Sequence, residues 1–191
     1  MNQTLAHLIQ GHYQSAPQHP ILILQRAGQE DKTLSYQDLV EGANRYANAY
    51  QAAGIKSGEV VILILQHGEE LVFSFWGAIL HGAIPAIMPF LTEKLAPERY
   101  RADLSALIKI TQPAAIVTYP EFEEEIRGAL QTGDSVREVL VTARVQDSAP
   151  LHFAQLAGLR RSPEDIAILQ HSSGTTGLQK GVALSHRAVI N

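Results

Sequence analysis

The chain has 191 residues, 46% of them hydrophobic and 18% charged, with no cysteine and a formal net charge of -4 at pH 7. That length is enough to bury one substantial core, and the balance of apolar and charged residues excludes a disordered chain. The lack of cysteine excludes disulfides and thiolate metal sites, and a small negative charge without a basic block argues against nucleic acid as a partner.

The opening MNQTLAHLIQGHYQ lacks the cationic stretch and apolar core of a secretory signal, so a cytoplasmic location is expected. Thr4 is placed to cap a first helix, with Leu5, Leu8, Ile9, His12 and Tyr13 on one stripe and Pro17 and Pro20 beyond it. Ile21 to Leu24 is a strand candidate, and Gly28 to Lys32 reads as a polar turn. Ser35 and Asp38 form an S-x-x-D capping pattern, which predicts a helix through Leu39, Ala43, Tyr46, Ala47 and Tyr50 that stops at Gly54.

Val60 to Leu65 is an unbroken apolar run, the mark of a strand covered on both faces. Gly68 and Glu69 lead into a helix carrying Leu71, Val72, Phe75, Ile79 and Leu80 at helical spacing, and Gly82 ends it. Ile84 to Met88 is a further strand, placed near an edge by Pro85. Strand, helix, strand over this distance is a parallel βαβ unit. Leu71 to Thr92 contains no charged residue and is long enough to cross a bilayer. Gly77, Gly82, Pro85 and Pro89 interrupt it, so a buried helix followed by a buried strand is the better reading and no transmembrane segment is expected.

Leu95 to Lys109 reads as a helix with Arg99, Arg101 and Lys109 on its polar side, ended by Thr111-Gln112-Pro113. Ala114 to Thr118 is a short strand. The four glutamates within Glu121 to Glu125 suit a solvated first helical turn better than a metal site. Val136 to Val141 is a strand, Thr142 to Pro150 a polar linker, and Pro163-Glu164-Asp165 leads into the apolar run Ile166 to Leu169. Helices alternating with short apolar strands predict an α/β layered domain with a mostly parallel sheet flanked by helices.

The densest chemistry follows that last run. From Ser172 to Gly181 the chain is rich in glycine and hydroxyl residues, and it closes on Val182 to Leu184 with Ser185 behind. This is strand, loop, strand, then a helix cap. Gly174, Gly177 and Gly181 let the backbone approach a bound group closely, and consecutive amides can turn inward as an anion nest. Ser172, Ser173, Thr175 and Thr176 add hydroxyls for phosphate oxygens or a magnesium ion, and Lys180 adds a positive charge. The set suits a polyphosphate, although composition alone leaves a flexible surface turn open. The P-loop pattern, which needs glycine before the lysine and Ser or Thr after it, is absent.

The string Ser172-Ser173-Gly174-Thr175-Thr176-Gly177-Leu178-Gln179-Lys180-Gly181-Val182 resembles the phosphate loop of the adenylate-forming superfamily. That superfamily holds acyl-CoA synthetases, fatty-acyl-AMP ligases, peptide-synthetase adenylation domains and luciferases. Gln179 stands where proline is usual, while Lys180 is kept and Ser185-His186 matches the family's Ser-His or Thr-His ending. Leu34-Ser35-Tyr36-Gln37-Asp38-Leu39, Gly77 to Pro85 and Pro113 to Val117 resemble family segments as well, with small residues of the Gly77 segment where helix and strand must pack.

The resemblance implies attack of a carboxylate on the α-phosphorus of ATP, giving acyl-AMP and pyrophosphate. It assigns Ser172, Ser173, Gly174, Thr175, Thr176, Gly177 and Gly181 to the phosphate cradle, in a loop spanning 170–182. Thr176 becomes the magnesium contact, and Thr176 and Lys180 the catalytic pair. His171 stands where relatives often carry an aromatic residue, implying packing or a substrate-pocket role. The implied substrates are ATP with Mg2+ and a carboxylic acid, a fatty acid first and an amino acid second, with CoA or an acyl-carrier protein's phosphopantetheine as acceptor. The family's adenine, ribose and hinge motifs and its C-terminal domain lysine are not in these 191 residues. The expectation is therefore the N-terminal portion of a ligase large domain, inactive alone.

A binding or interaction module retaining half of the fold is the alternative. A hydrolase using Ser172 or Ser173 lacks the G-x-S-x-G elbow, and its nearest bases in sequence are His171 and His186. The eight histidines show no H-E-x-x-H spacing, and His67 and His81 read as satisfied core or surface residues.

Overall fold

A computed structural model describes residues 3–25, 27–90, 96–146, 150–172 and 180–191. Its centre is a four-stranded parallel sheet built from the predicted apolar runs: β3 (Val60–Ile64), β4 (Ile84–Ile87), β5 (Ala115–Thr118) and β6 (Glu138–Val141), in the order β4-β3-β5-β6. Alternation along β3 sends Val61 and Leu63 into one core and Ile62 and Ile64 into a second. The first core is closed by α1 (Leu5–Ser15), α2 (Tyr36–Ala52) and α3 (Glu69–His81), and the second by α4 (Pro97–Thr111) and α5 (Glu123–Ala129). A sheet covered twice needs strands apolar on both faces, which is why the runs of β3, β4 and β5 show no polar alternation, whereas β6 at the end of the order opens on the exposed Glu138.

Local signals placed the helices well. Thr4 caps α1, and Ser35 with Asp38 forms the capping box of α2, the Ser35 amide donating to the Asp38 carboxylate at 2.8 Å. Gly82 ends α3 in the left-handed region at φ 87°. Pro85 lies in β4, at the end of the four-stranded order, consistent with an edge. The predicted start of the fourth helix at Leu95 lies outside the described residues. Among the described residues no helix is long and apolar enough to cross a membrane.

Three features differ from the sequence reading. Lys32–Ser35 forms β2, antiparallel to β1 (Pro20–Leu24), where the sequence suggested a turn running straight into a helix entry. Its four residues are too few to show an alternating pattern, yet Leu34 is buried by the fold. The polar linker after β6 begins as a 3-10 turn over Thr142–Arg144. Gly77 packs against a helix, not a strand. A β-carbon there would stand 2.5 Å from Tyr46 Cβ and 2.7 Å from the Ala43 carbonyl oxygen, so the glycine lets α2 and α3 touch backbone to backbone.

Around that contact Tyr50 Oη donates to the Ser74 carbonyl at 3.1 Å. The Tyr46 hydroxyl donates to Glu70, and the Arg45 guanidinium lies 5.7 Å above the Phe73 ring. Glutamates of α5 are spent on ion pairs: Glu123 accepts from Arg127 at 2.9 Å and Arg144 at 2.6 Å, and Glu125 from Arg101 at 2.7 Å.

The α2–α3 contact reverses the sign of a common substitution. In an open helical position such as Gly11, where a β-carbon meets nothing within 4 Å, Gly→Ala should stabilise by about 1 kcal/mol. Gly77→Ala should instead destabilise by about 1–3 kcal/mol, because the crowding outweighs the propensity gain. Urea unfolding of both variants checks the pair of opposite signs.

Candidate functional site

The hydroxyl- and glycine-rich segment is carried by a hairpin of β7 (Ile166–Ser172) and β8 (Lys180–Ser185). The strands pair antiparallel from Ile166↔Ser185, through one irregularity between Ile166 and Ile168, to His171↔Gly181 and Ser172↔Lys180. The last pair matters most. It fixes the backbones of Ser172 and Lys180 across one strand spacing, about 5 Å, so the residues that flank 173–179 are held by the sheet.

Ser173, Gly174, Thr175, Thr176 and Gly177 of the expected cradle lie outside the described residues, as do Leu178 and Gln179. Ser172 and Lys180 are placed as strand backbone at the hairpin mouth. Gly181 stands one step inside it, and its φ is not positive. A β-carbon on Gly181 would meet Leu169 Cδ1 at 3.4 Å and the His171 ring at 3.6 Å, which are ordinary contact distances.

The foot of the hairpin is tied by the Pro163-Glu164-Asp165 segment. His186 N donates to the Asp165 carbonyl at 3.1 Å and Arg187 N to the Pro163 carbonyl at 2.9 Å. Asp165 also accepts from the Ser162 amide at 2.8 Å, and Arg187 pairs with Glu164 at 2.6 Å. Ser185 caps α6 (His186–Ile190), its Oγ accepting from Ala188 N at 3.2 Å. His186 is buried with its Nδ1 taken by the Leu5 amide at 3.2 Å, so that nitrogen is not free to act as a base.

β7 lies beside β4, and between them is a cavity of about 680 Å3 with walls from Leu65, Leu71, Met88, Phe90, Leu169 and His171. Its lining is apolar except at a few points. The expected pocket residue His171 is thus on its wall, beside Ser172. Both ring nitrogens of His171 are buried without a hydrogen-bond partner among the described residues. Burial also holds its pKa below the ordinary histidine value, so the ring is neutral at pH 7. His81 is satisfied, its Nε2 lying 2.9 Å from the Ile55 carbonyl, whereas His67 is exposed on the cavity rim.

One group of residues escaped sequence reasoning. The order β4-β3-β5-β6 sends the connection after β3 one way and that after β5 the other, so the carboxyl ends of β3 and β5 form the topological switch point. A second cavity of about 560 Å3 opens there, lined by Gln66, His67, Glu69, Tyr119, Glu121 and Thr142 among others. It shares Leu65 and His67 with the apolar cavity, so the two adjoin. The available signal was positional: these residues immediately follow the apolar runs that become β3, β5 and β6.

The family described as AMP-binding enzyme matches residues 10–191. A 4-coumarate–CoA ligase of Vanilla planifolia is 30% identical over 173 residues, covering 85% of this chain and 30% of the relative. A 4-coumarate–CoA ligase of Oryza sativa subsp. japonica is 31% identical over 171 residues, covering 85% of this chain and 29% of its own.

Among solved structures, one from a study of fatty acyl-adenylate ligases of E. coli and L. pneumophila superposes with TM-score 0.80 at 28% identity, over 98% of this chain and 33% of that one. McyG A-PCP complexed with phenylalanyl-adenylate gives TM-score 0.81 at 26% identity, over 100% and 29%. The chain therefore spans about a third of the length of the proteins it matches.

The buried, unpartnered imidazole gives a direct test. His171→Phe keeps the ring and removes two unsatisfied nitrogens, so urea unfolding at pH 7.5 should show a gain of roughly 1 kcal/mol. A loss of stability would mean that the nitrogens have partners in solution.

Proposed function

Because the chain belongs to the AMP-binding enzyme family, we propose that it supplies the phosphate-binding part of a ligase that activates a carboxylic acid with ATP. A carboxylate oxygen attacks the α-phosphorus and the bond to the bridging oxygen breaks. Pyrophosphate leaves with that electron pair, and the acyl-adenylate forms. A thiol, either of CoA or of the phosphopantetheine on an acyl-carrier protein, then gives up its proton and attacks the acyl carbon, and AMP leaves with the electron pair of the broken acyl–oxygen bond.

The observation that supports this reading most directly is the Ser172↔Lys180 pair at the hairpin mouth. It sets a lysine backbone opposite the first serine of a hydroxyl-rich segment, so the main chain at both ends of that segment is fixed before any ligand arrives. In this reading the amides of Ser172, Ser173, Gly174, Thr175, Thr176 and Gly177 and the hydroxyls of the serines and threonines donate to phosphate oxygens, with Gly181 following as the second residue of β8. Lys180 places its ammonium on the β or γ phosphate and offsets the charge that builds as pyrophosphate departs. Thr176 offers its hydroxyl to magnesium, which when bound neutralises charge between phosphate oxygens.

We take an acid with an apolar body as substrate, a fatty acid first. The reading is supported by likeness to a fatty acyl-adenylate ligase and to ligases of an aryl acid. Likeness to a phenylalanyl-adenylate complex keeps an amino acid second. With about a third of the relatives' length, the 191-residue chain should bind ATP weakly and not turn over alone.

Lys180→Ala should weaken ATP binding by about 10- to 100-fold, the worth of one charge-assisted hydrogen bond. Calorimetric titration with magnesium-ATP measures it, and unchanged affinity counts against the assignment. Carboxylate-dependent ATP–pyrophosphate exchange by a longer polypeptide containing these residues, across a panel of fatty, aryl and amino acids, tests the substrate class.

A further inference from the structure

The Ser185-His186 pair has a structural use that links the hairpin to the start of the chain. His186 is the first residue of α6, with only 3% of its surface exposed. Its backbone amide serves the hairpin foot through Asp165, while its ring points to α1. There Nδ1 accepts from Leu5 N at 3.2 Å. Leu5 opens α1, so its N–H is one of the amides that a helix leaves without an internal partner.

The same terminus uses a second histidine. His7 Nδ1 stands 2.8 Å from Thr4 Oγ1 and accepts from Thr4 N at 3.4 Å, while His7 N donates to Thr4 Oγ1 at 3.4 Å. Two imidazoles thus present acceptor nitrogens to the positive end of one helix. Only a neutral ring with its hydrogen on Nε2 has an acceptor at Nδ1. Protonation would set a donor against a donor and add a positive charge beside the helix N-terminus.

We propose that His186 is a positioning residue whose neutral ring couples the loop-bearing hairpin to α1, and that protonation of this ring in mild acid uncouples them. The groups facing it are His7 from α1, and Arg161 and Asp165 from the segment before β7; Arg187 of its own helix is paired with Glu164. Burial depresses its pKa, with Arg161 acting the same way, Asp165 opposing and His7 adding to the depression. The unfolded chain therefore binds the proton more readily than the folded one. The joint is complete above the unfolded value of about 6.5 and is lost as pH falls through the lower folded value.

The joint itself does not depend on the loop binding ATP, and its test needs no nucleotide. Hydrogen exchange of the Leu5 amide in the 191-residue chain, corrected for the intrinsic pH dependence, reads it between pH 7.5 and 4.5. Protection should fall by up to about tenfold per pH unit between the unfolded value of about 6.5 and the lower folded value, and level off below it. His186→Asn places a non-titrating acceptor near the same position and should hold Leu5 protection constant with pH, whereas His186→Ala should lack it at both ends of the range. Constant protection in the parent chain overturns the proposal. So does a fall that persists in His186→Asn and disappears in His7→Asn, which would assign the joint to His7. If His186→Ala does not fold, the comparison of the parent chain with His186→Asn still decides.

Discussion

Antiparallel pairing of β7 with β8, carried to Ser172↔Lys180, is the constraint on which the candidate site depends. Bringing the ends of a flexible loop together costs conformational entropy. Here the ladder meets that cost, because Ser172 and Lys180, the residues that flank 173–179, are strand residues already in register.

The hairpin in turn rests on the rest of the domain at three places. β7 packs beside β4, whose residues past Ile87 share the apolar cavity with Leu169 and His171. The segment Pro163 to Asp165 receives the amides of His186 and Arg187, which fixes the start of β7 against the end of β8. The ring of His186 reaches α1. Behind these contacts α2 and α3 meet at Gly77, and their joint face covers one side of the parallel sheet. The position of the hairpin is thus set by burial and backbone pairing, with no disulfide in the chain.

Much of this frame was legible in the sequence because its signals are local. Ser35 with Asp38, Gly82 after an apolar helix, and the unbroken runs Val60 to Leu65 and Ala114 to Thr118 each carry their structural meaning within a few residues. The loop stood out by composition, and its flanking strands by their apolar runs. What the sequence hid is non-local. β2 exists because β1 is there to pair with, and Leu34 is buried by neighbours from elsewhere in the chain. Gly77 reads as a small residue in a helix, but the Tyr46 and Ala43 atoms that require it are about thirty positions away. The switch-point cavity depends on strand order, which no single segment encodes. His186 was legible as part of a Ser-His motif, yet the amide it serves belongs to Leu5.

The central claim is that the segment closed by Ser172 and Lys180 receives the phosphates of ATP, and amide chemical-shift mapping tests it most directly. Magnesium-ATP titrated into the isotopically labelled chain should shift the amides of residues 172–181 saturably, with smaller changes at His171 and Val182. Shifts confined to the other rim, from Gln66 to Glu70 and at Tyr119, would move the nucleotide to the switch-point cavity and contradict the account. No saturable shift anywhere at millimolar nucleotide would contradict it as well.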